Sequence, residues 1–334
     1  MADALLSPAV GGTMLAVSGG LIAYSTRELR KNFDESRIPL MGVAGAFVFA
    51  MQMINFAIPG TGSSGHIAGS VLLAALLGSA PAFLVMASVL LIQALFFADG
   101  GLLAWGANVF NLGFFGCFLA YPYVFRPIAG AFSHEKNENG VRPWRLSLAA
   151  VAACTVAMVL GAFCVTLETL ASGITELPFA QFISMMIPIH IAIGFVEGLA
   201  TLAVLQFVRK NLPDFQTSRL EKRFSIANLC WVFALAAAVI GGGVSLLASG
   251  DPDGLEWSME KVAGTAELES SGVLYDSLAQ TVEKTAFLPD YAFPGSESWL
   301  GTTISGVVGV LICIVAMILF AKVATCRRQK PAEM

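Results

Sequence analysis

Residues 146–171, LSLAAVAACTVAMVLGAFCVTLETLA, form an apolar run in which Glu168 is the only charged residue. A helix needs about 20 mostly apolar residues to cross the hydrocarbon core of a bilayer. Arg145 precedes the run and Gly173 follows it, so the run is bounded by a charged residue and a flexible one. This stretch therefore predicts a membrane-spanning helix, and it sets the fold class for the chain.

The composition extends this prediction to the whole sequence. Of 334 residues, 56% are hydrophobic and only 13% are charged, about half of the charged fraction of soluble domains. The net charge is −4, and no basic block is interleaved with aromatic residues, so nucleic acid is excluded as a partner. The sequence predicts an all-α polytopic membrane protein surrounded by a lipid bilayer.

Nine apolar runs are candidates for transmembrane helices: 8–25, 39–58, 66–80, 82–98, 101–124, 146–171, 180–208, 226–249 and 299–323. The third and fourth are short, and only residues 78–81 separate them. Irregular backbone survives within a membrane only where protein or a water-lined pocket covers it. We therefore expect tilted or incomplete helices beside a cavity at this position.

The positive charges predict the orientation of the chain. Of the 19 Lys and Arg residues, 17 lie in four alternate segments, 26–38, 125–145, 209–225 and 322–330. Short cytoplasmic loops retain positive charge during insertion. The amino terminus is therefore expected outside the cell and the carboxyl terminus in the cytoplasm.

The loop lengths divide the chain into two units. Residues 1–224 form a seven-span unit, and residues 225–334 form a two-span unit with one long external segment, 250–298. That segment carries ten carboxylates against Lys261 and Lys284. The acidic face of the protein is thus predicted to lie outside.

His66 is the most informative of the three histidines. It follows the glycine-rich loop 59–65 and opens the short third span, where an imidazole suits capture of a divalent metal. Anchoring by a hydrogen bond at the membrane interface explains the same position equally well. His134, in a charged cytoplasmic stretch, is expected only to be solvated.

Three ionisable groups within spans support a rival hypothesis. His190 and Glu197 share one face of the seventh span, and Glu168 lies near the external end of the sixth. Such groups usually face a cavity or a protein interior, where they serve either a proton or ion relay or a hydrogen-bonded link between helices. The rival is thus an autonomous ion-coupled carrier or a membrane-embedded enzyme that uses these three residues.

Two further features concern partners and energy. Gly12, Ala16 and Gly20 form a row of small residues on the first span, which allows close approach of a partner subunit or of a helix of the same chain. The sequence has no GxxxxGK[ST] motif for ATP phosphates and no HExxH or GxSxG motif. Any energy for transport must come from elsewhere.

Several motifs occur in order along the first two thirds of the chain: LLSPAV at 5–10, MQMINF at 51–56, GSSGH at 62–66, QALFFADGG at 93–101, GANVFN at 106–111 and HIAIGFVEG at 190–198. Over about residues 1–208 the chain resembles the CbiM/NikM family, the substrate-binding permease components of energy-coupling-factor importers for cobalt and nickel. Residues 252–256, PDGLE, with their flanking spans resemble the NikN-type companion subunit, here fused to the permease.

The resemblance implies a metal site. In this family the ion is held by the free amino terminus, by a histidine at the second position through its amide and imidazole, and by a histidine at the place of His66. Such nitrogen donors suit square-planar Ni(II). Here Ala2 follows Met1, and Met1 matches the family's third position, so either the chain as given starts at an internal methionine, as we expect, or it has lost some of these donors.

The predicted site and function follow from this likeness. Metal ligands are expected at His66 and Met1, and the residues expected to orient them or close the site are Asn55, Ser63, Ser64, Asp99 and Asn108. No cofactor is expected; Ni2+ or Co2+ is the transported substrate. The implied partners are a transmembrane coupling subunit, which is expected on the small-residue face of the first span, and cytoplasmic ATPase subunits. The implied location is the plasma (inner) membrane.

Overall fold

The structure, a computed structural model, describes residues 1–31, 38–130, 143–211, 219–266, 268, 271–296 and 298–326. Eleven helices and one short hairpin make up the fold of this part of the chain. The elements are α1 (Pro8–Lys31), α2 (Ile38–Gln52), β1 (Phe56–Ile58), β2 (Ser63–Gly65), α3 (Ser70–Leu77), α4 (Ser79–Phe96), α5 (Trp105–Ala129), α6 (Pro143–Ser172), α7 (Phe179–Asn211), α8 (Arg219–Gly242), α9 (Gly254–Ala263), α10 (Val273–Thr285) and α11 (Trp299–Cys326).

The all-α membrane prediction is confirmed. Six helices are long and apolar enough to cross a bilayer, namely α1, α4, α5, α6, α7 and α11, and the apolar parts of α2 and α8 are somewhat shorter. The middle of α5, Val109–Phe125, is wound as a π-helix and contains Pro122. The composition decides this class, because so apolar a chain must hide its backbone polar groups within helices.

The third predicted span differs from a full crossing. Its helix, α3, has eight residues and is therefore about 12 Å long, less than half of the hydrocarbon thickness. The hairpin β1–β2 precedes it, and Ser63, Ser64 and Gly65 are all buried. The sequence predicts tilted or incomplete helices for both the third and the fourth span; the third is incomplete, whereas the fourth is a full helix of 18 residues.

The second predicted span is also shorter than its apolar run. Helix α2 ends at Gln52, and the last apolar residues of the run, Phe56–Ile58, pair with Ser63–Gly65 as an antiparallel hairpin. The left-handed Gly60 and Gly62, with φ of +79° and +69°, allow the tight reversal between the strands. Hydropathy alone did not separate this strand from the helix before it.

The core lies around α2 and α4. Nearly every residue of α2 is buried, and Phe47 packs against Phe233 of α8 with ring centroids 4.8 Å apart. Helices α8 and α11 cross at Gly241 and Gly306, where the backbone of one helix occupies the space that a side chain on the other would need. The last two spans thus pack onto the core of the first seven.

The outer face of α1 is open. Gly12, Ala16 and Gly20 are exposed, and a methyl group added at either glycine would meet no atom within 4 Å. The opposite face packs inward, where Ser18 donates a hydrogen bond to the carbonyl of Gly106. Among the described residues, the small-residue row is therefore not used for internal packing.

Candidate metal site

A cavity of about 80 Å³ lies where the start of the chain, the hairpin, and helices α5, α6, α7 and α9 meet. A single water needs roughly 10–15 Å³ of such volume, so the space holds an ion with a few waters. Glycines and apolar side chains form most of the wall. The remaining lining residues are Met1, His66, Asn108, Asn111, His190 and Asp253.

His66 enters this cavity directly after strand β2. The hairpin pairing of Phe56 with Gly65 holds the chain just before it, and α3 begins four residues after it. The Nδ1 atom of His66 is buried and has no hydrogen-bond partner among the described residues. An unpaired buried nitrogen is costly, so this ring is poised to take a ligand.

Met1 is held at the same cavity by its backbone. Its carbonyl oxygen accepts hydrogen bonds from the amide of Gly101 at 3.2 Å and from Nδ2 of Asn108 at 3.1 Å. Two residues later, the Asp3 carboxylate accepts a hydrogen bond from the amide of Ala104 at 2.8 Å. The amino-terminal segment is thereby fixed on the same wall as Asn108.

Burial of this segment has an electrostatic cost. Desolvation raises the pKa of Asp3 above its usual value, although the amide of Ala104 acts in the other direction. Leu5 and Leu6, which follow, are 1% and 0% exposed. Their burial holds this segment in place, so Met1 stays at the cavity that His66 also lines.

The metal-site prediction missed three polar lining residues, His190, Asn111 and Asp253. His190, assigned from sequence only to a relay or helix link, places Nδ1 2.7 Å from the carbonyl oxygen of Met186. Asn111 is 5% exposed, and its Nδ2 donates to Glu168 at 2.8 Å while its Oδ1 has no partner among the described residues. Two sequence signals pointed to Asn111, which is a polar residue inside an apolar run and the last residue of the motif GANVFN.

Segment 250–298 covers one side of the cavity through residues 253–255, at the start of α9. Asp253 caps the start of α9 by accepting hydrogen bonds from the amides of Leu255 and Glu256. Gly254 packs so closely that a methyl group there would lie 2.8 Å from Cδ1 of Ile193 and 3.1 Å from Cε1 of His190. Only glycine fits this approach without displacing its neighbours.

Several hydrogen bonds join this segment to the hairpin and its loop. The amide of Ser64 donates to the carbonyl of Pro252 at 2.8 Å, and its hydroxyl donates to the carbonyl of Asp251 at 2.8 Å. Farther along α9, Nε1 of Trp257 donates to the carbonyl of Thr61 at 3.0 Å. The loop that carries His66 is therefore bound directly to the second unit.

Four residues predicted to orient the metal ligands do not line the cavity. Three of them bond to the second unit instead: the carbonyl of Asn55 accepts from Ser249, Ser64 bonds to Pro252, and the Asp99 carboxylate accepts from the hydroxyl of Tyr291. The Ser63 hydroxyl donates locally to the carbonyl of Ser64 at 3.0 Å. Of the five predicted orienting residues, only Asn108 lies at the cavity.

The two buried carboxylates do not line the cavity themselves, and each accepts a hydrogen bond from another element. Glu168 links α6 to Asn111 of α5, and Glu197 accepts a hydrogen bond from the amide of Gly69 at 2.9 Å, just before α3 begins. Both hydrogen bonds link separate elements of the fold, which is one of the two roles that the sequence left open for these carboxylates. His134 lies outside the described residues.

The donor set of the cavity is not a cluster of acidic or thiol side chains. Within the described ranges, no group of three or more His, Cys, Asp or Glu side chains is close enough together to hold a metal ion. An ion held here must therefore use other donors as well, such as the terminal amine, amide oxygens or backbone carbonyls. The imidazole and amine nitrogens in such a set suit Ni2+ and Co2+ better than Mg2+ or Ca2+.

Comparison with known families gives two matches. The CbiM family, described as the cobalt uptake substrate-specific transmembrane region, matches residues 1–215. The PDGLE domain matches residues 227–325.

Relatives match the chain over nearly its whole length. The putative fused nickel transport protein NikMN of Archaeoglobus fulgidus is 31% identical over 316 residues, covering 93% of this chain and 94% of that protein. The fused nickel transport protein NikMN of Rhodobacter capsulatus is 28% identical, covering 98% of both. The cobalt transport protein CbiM of Sorangium cellulosum is 30% identical and covers 58% of this chain and 83% of its own length.

A solved structure has the same fold over about two thirds of the chain. The crystal structure of a transition metal transporter superposes with a TM-score of 0.54 at 26% sequence identity, covering 66% of this chain and 96% of the other. A truncated transition metal transporter gives a TM-score of 0.53 over 63% of this chain.

Proposed function

The chain belongs to the CbiM family and is a membrane protein of nickel or cobalt transport, and from this premise we propose that it is the substrate-binding component of an energy-coupling-factor importer. In this role it captures the ion outside and releases it inside. Partner ATPases supply the energy, and the chain itself is not an enzyme. The observation that carries the proposal is the cavity in which His66 and the amino-terminal Met1 meet.

The chemistry of that cavity supports the proposed ligands. Nδ1 of His66 has no hydrogen-bond partner in the described part of the chain, and Gly101 and Asn108 hold the carbonyl of Met1, which keeps this residue at the cavity wall. Imidazole and amine nitrogens are ligands of intermediate softness, as late first-row metals prefer. We favour nickel over cobalt because the relatives that match the whole chain are named as nickel transport proteins.

We propose that the chain acts as two units, 1–224 for capture and 225–334 for closure. The PDGLE segment lies over the cavity, and its hydrogen bonds to Ser64 and Thr61 hold it there. An ion enters or leaves the cavity on this side only when these bonds open. The carboxylates of segment 250–298 concentrate cations at the entrance.

The partners are proposed to be a transmembrane coupling subunit and cytoplasmic ATPase subunits. The open row Gly12, Ala16 and Gly20 on α1 offers the coupling subunit a surface for close helix packing. We place the protein in the plasma (inner) membrane, with its amino terminus outside and its carboxyl terminus in the cytoplasm, from the distribution of Lys and Arg.

Reconstituted uptake tests the proposal. The full chain is placed in vesicles with and without the coupling and ATPase subunits, and Ni2+ and Co2+ accumulation is followed with ATP on the cytoplasmic side. We expect uptake only with all subunits present. Uptake driven by a pH gradient or a membrane potential without ATPases would instead support an autonomous carrier that uses Glu168, His190 and Glu197.

A variant of α1 tests the partner surface. Ala16→Trp fills the open row, so we expect the chain to fold and bind metal as before but to lose assembly with the coupling subunit. The control is Val17→Trp, which places the same ring on the neighbouring exposed position beside the row. Equal assembly of both variants with the coupling subunit would move the docking surface elsewhere.

A further inference from the structure

The ring of His190 has a defined protonation pattern. Its Nδ1 lies 2.7 Å from the carbonyl oxygen of Met186, one turn earlier on α7. A carbonyl oxygen only accepts hydrogen bonds, so Nδ1 carries the proton. In the neutral ring Nε2 then has a free lone pair, and no described residue donates a hydrogen bond to it.

The surroundings of His190 place this lone pair at the cavity. His190 lines the same cavity as His66 and Met1 and lies within electrostatic range of His66 and Asp253. The Cε1 edge of its ring faces Gly254, since a methyl group there would lie 3.1 Å from Cε1. Met186 on one side and Gly254 on the other limit how far the ring can turn.

The cavity offers acceptors that lack donors. Oδ1 of Asn111 has no partner among the described residues, although Asn111 is only 5% exposed. His190 and the Asp253 carboxylate line the same space, so the Nε2 lone pair and the carboxylate oxygens are further acceptors there. A cation satisfies several lone pairs at once, whereas a buried acceptor without a partner is costly.

We propose that His190 binds the transported ion directly through Nε2, as a second imidazole beside His66. This inference rests on the proposed function and names a further ligand of the same site. The hydrogen bond from Nδ1 to a backbone carbonyl is the contact that metal-binding histidines usually make through their other nitrogen, and it fixes the ring for coordination. Two imidazoles favour late transition metals over Mg2+ and Ca2+.

The position of His190 on α7 matches this role. Pro188, two residues earlier, has no amide hydrogen, so the carbonyl of Ser184 loses its usual helical partner and the helix is loosened there. A metal-binding side chain beside such a turn can adjust its distance to the ion. On the other side, Gly254 packs closely against the Cε1 edge of the ring.

Metal binding to the purified full chain tests this inference. NiCl2 is titrated into wild type, His190→Gln and His66→Gln by calorimetry, and X-ray absorption counts the imidazoles on bound Ni2+. We expect two imidazoles in the wild type and one in His190→Gln, with affinity reduced at least tenfold. Ser184→Ala, which removes an exposed hydroxyl on the same helix, is the control and should bind as wild type does.

The outcomes separate this inference from the function on which it rests. If His190→Gln binds Ni2+ with wild-type affinity and an unchanged imidazole count while His66→Gln loses binding, His190 is not a ligand and the proposed function stands. If the wild type binds neither Ni2+ nor Co2+, the proposed function fails first. If His190→Gln does not fold, the wild-type spectrum decides, since a complex in which His66 is the only imidazole ligand overturns the inference.

Discussion

The amide of Ser64 donates a hydrogen bond to the carbonyl oxygen of Pro252 over 2.8 Å, although 188 residues separate the two in sequence. Ser64 lies in the hairpin that carries His66, and Pro252 begins the PDGLE segment of the second unit. The hairpin is thus bonded to the element that covers the cavity. Movement of the PDGLE segment is therefore expected to shift the hairpin and, with it, His66.

His66→Ala should abolish high-affinity metal binding and leave the metal-free protein as stable as the wild type. The substitution breaks no hydrogen bond at Nδ1, because this atom has no partner among the described residues. It also removes an unsatisfied buried nitrogen, whose burial destabilises the folded wild type by about 1–3 kcal/mol. Calorimetry with Ni2+ and thermal unfolding without metal measure the two effects. A fall in metal-free stability with binding retained would identify His66 as an interface anchor.

Ser64→Ala should speed the release of bound metal. The change removes the hydroxyl bond to Asp251 at 2.8 Å, and a neutral hydrogen bond contributes about 0.5–1.5 kcal/mol, so we expect a several-fold faster dissociation of Ni2+ in a chelator-exchange experiment. Ser63→Ala is the matched control, because that hydroxyl bonds only to the next residue. Equal release rates in both variants would argue against closure by the PDGLE segment.

Gly254→Ala should weaken metal binding. The added methyl group would lie 2.8 Å from Ile193 and 3.1 Å from His190, so the segment must move outward or the imidazole must turn. Overpacking of this kind costs about 1–3 kcal/mol. Gly250→Ala, where a methyl group meets open space, should have no such effect, and a full-affinity Gly254→Ala protein would show that the close fit is unimportant.

Tyr291→Phe should loosen the second unit from the end of α4. The Tyr291 hydroxyl donates to Asp99 and accepts from Nε2 of Gln93 at 3.2 Å. The change leaves the buried Gln93 amide without its acceptor, which is expected to cost about 1–3 kcal/mol, whereas water can replace the donor to the exposed Asp99. Chemical unfolding of both proteins at neutral pH measures the difference.

The same bond predicts a pH dependence. Burial, together with the Asp99 charge, raises the pKa of Tyr291 well above its usual value of 10.0. The folded protein therefore holds this proton when the unfolded chain has lost it, and stability falls as pH rises above about 10. Tyr291→Phe should lack this part of the decline, and identical pH profiles would contradict the assignment.

The orientation is open to chemical labelling. A cysteine at Ser271, in the external segment, should react with an impermeant thiol reagent applied outside, whereas one at Ser133 should not. The prediction rests on the partition of Lys and Arg between the loops. Labelling of the cysteine at position 133 but not of the one at position 271 would show that the predicted orientation, and with it the proposed direction of transport, is wrong.

The sequence by itself determined the class of the fold and the approximate place of the helices. Hydropathy is a local property, and a helix such as α6 satisfies its backbone bonds within one apolar run, so residues 146–171 were sufficient to predict it. The glycine-rich loop before His66 likewise showed, from neighbouring residues alone, where a tight reversal would lie. The break near residue 78 marked the incomplete helix α3.

Only the tertiary structure decided which residues share the cavity. His190 is 124 residues from His66 in sequence, and whether their rings face one space depends on how α7 packs against the hairpin. The sequence assigned to the metal site three residues that lie close to His66 or in the other family-like motifs, namely Asn55, Ser64 and Asp99. Each of them instead forms a hydrogen bond to the second unit. Long-range packing and hydrogen bonding depend on the mutual placement of distant elements, which no pattern of neighbouring residues encodes.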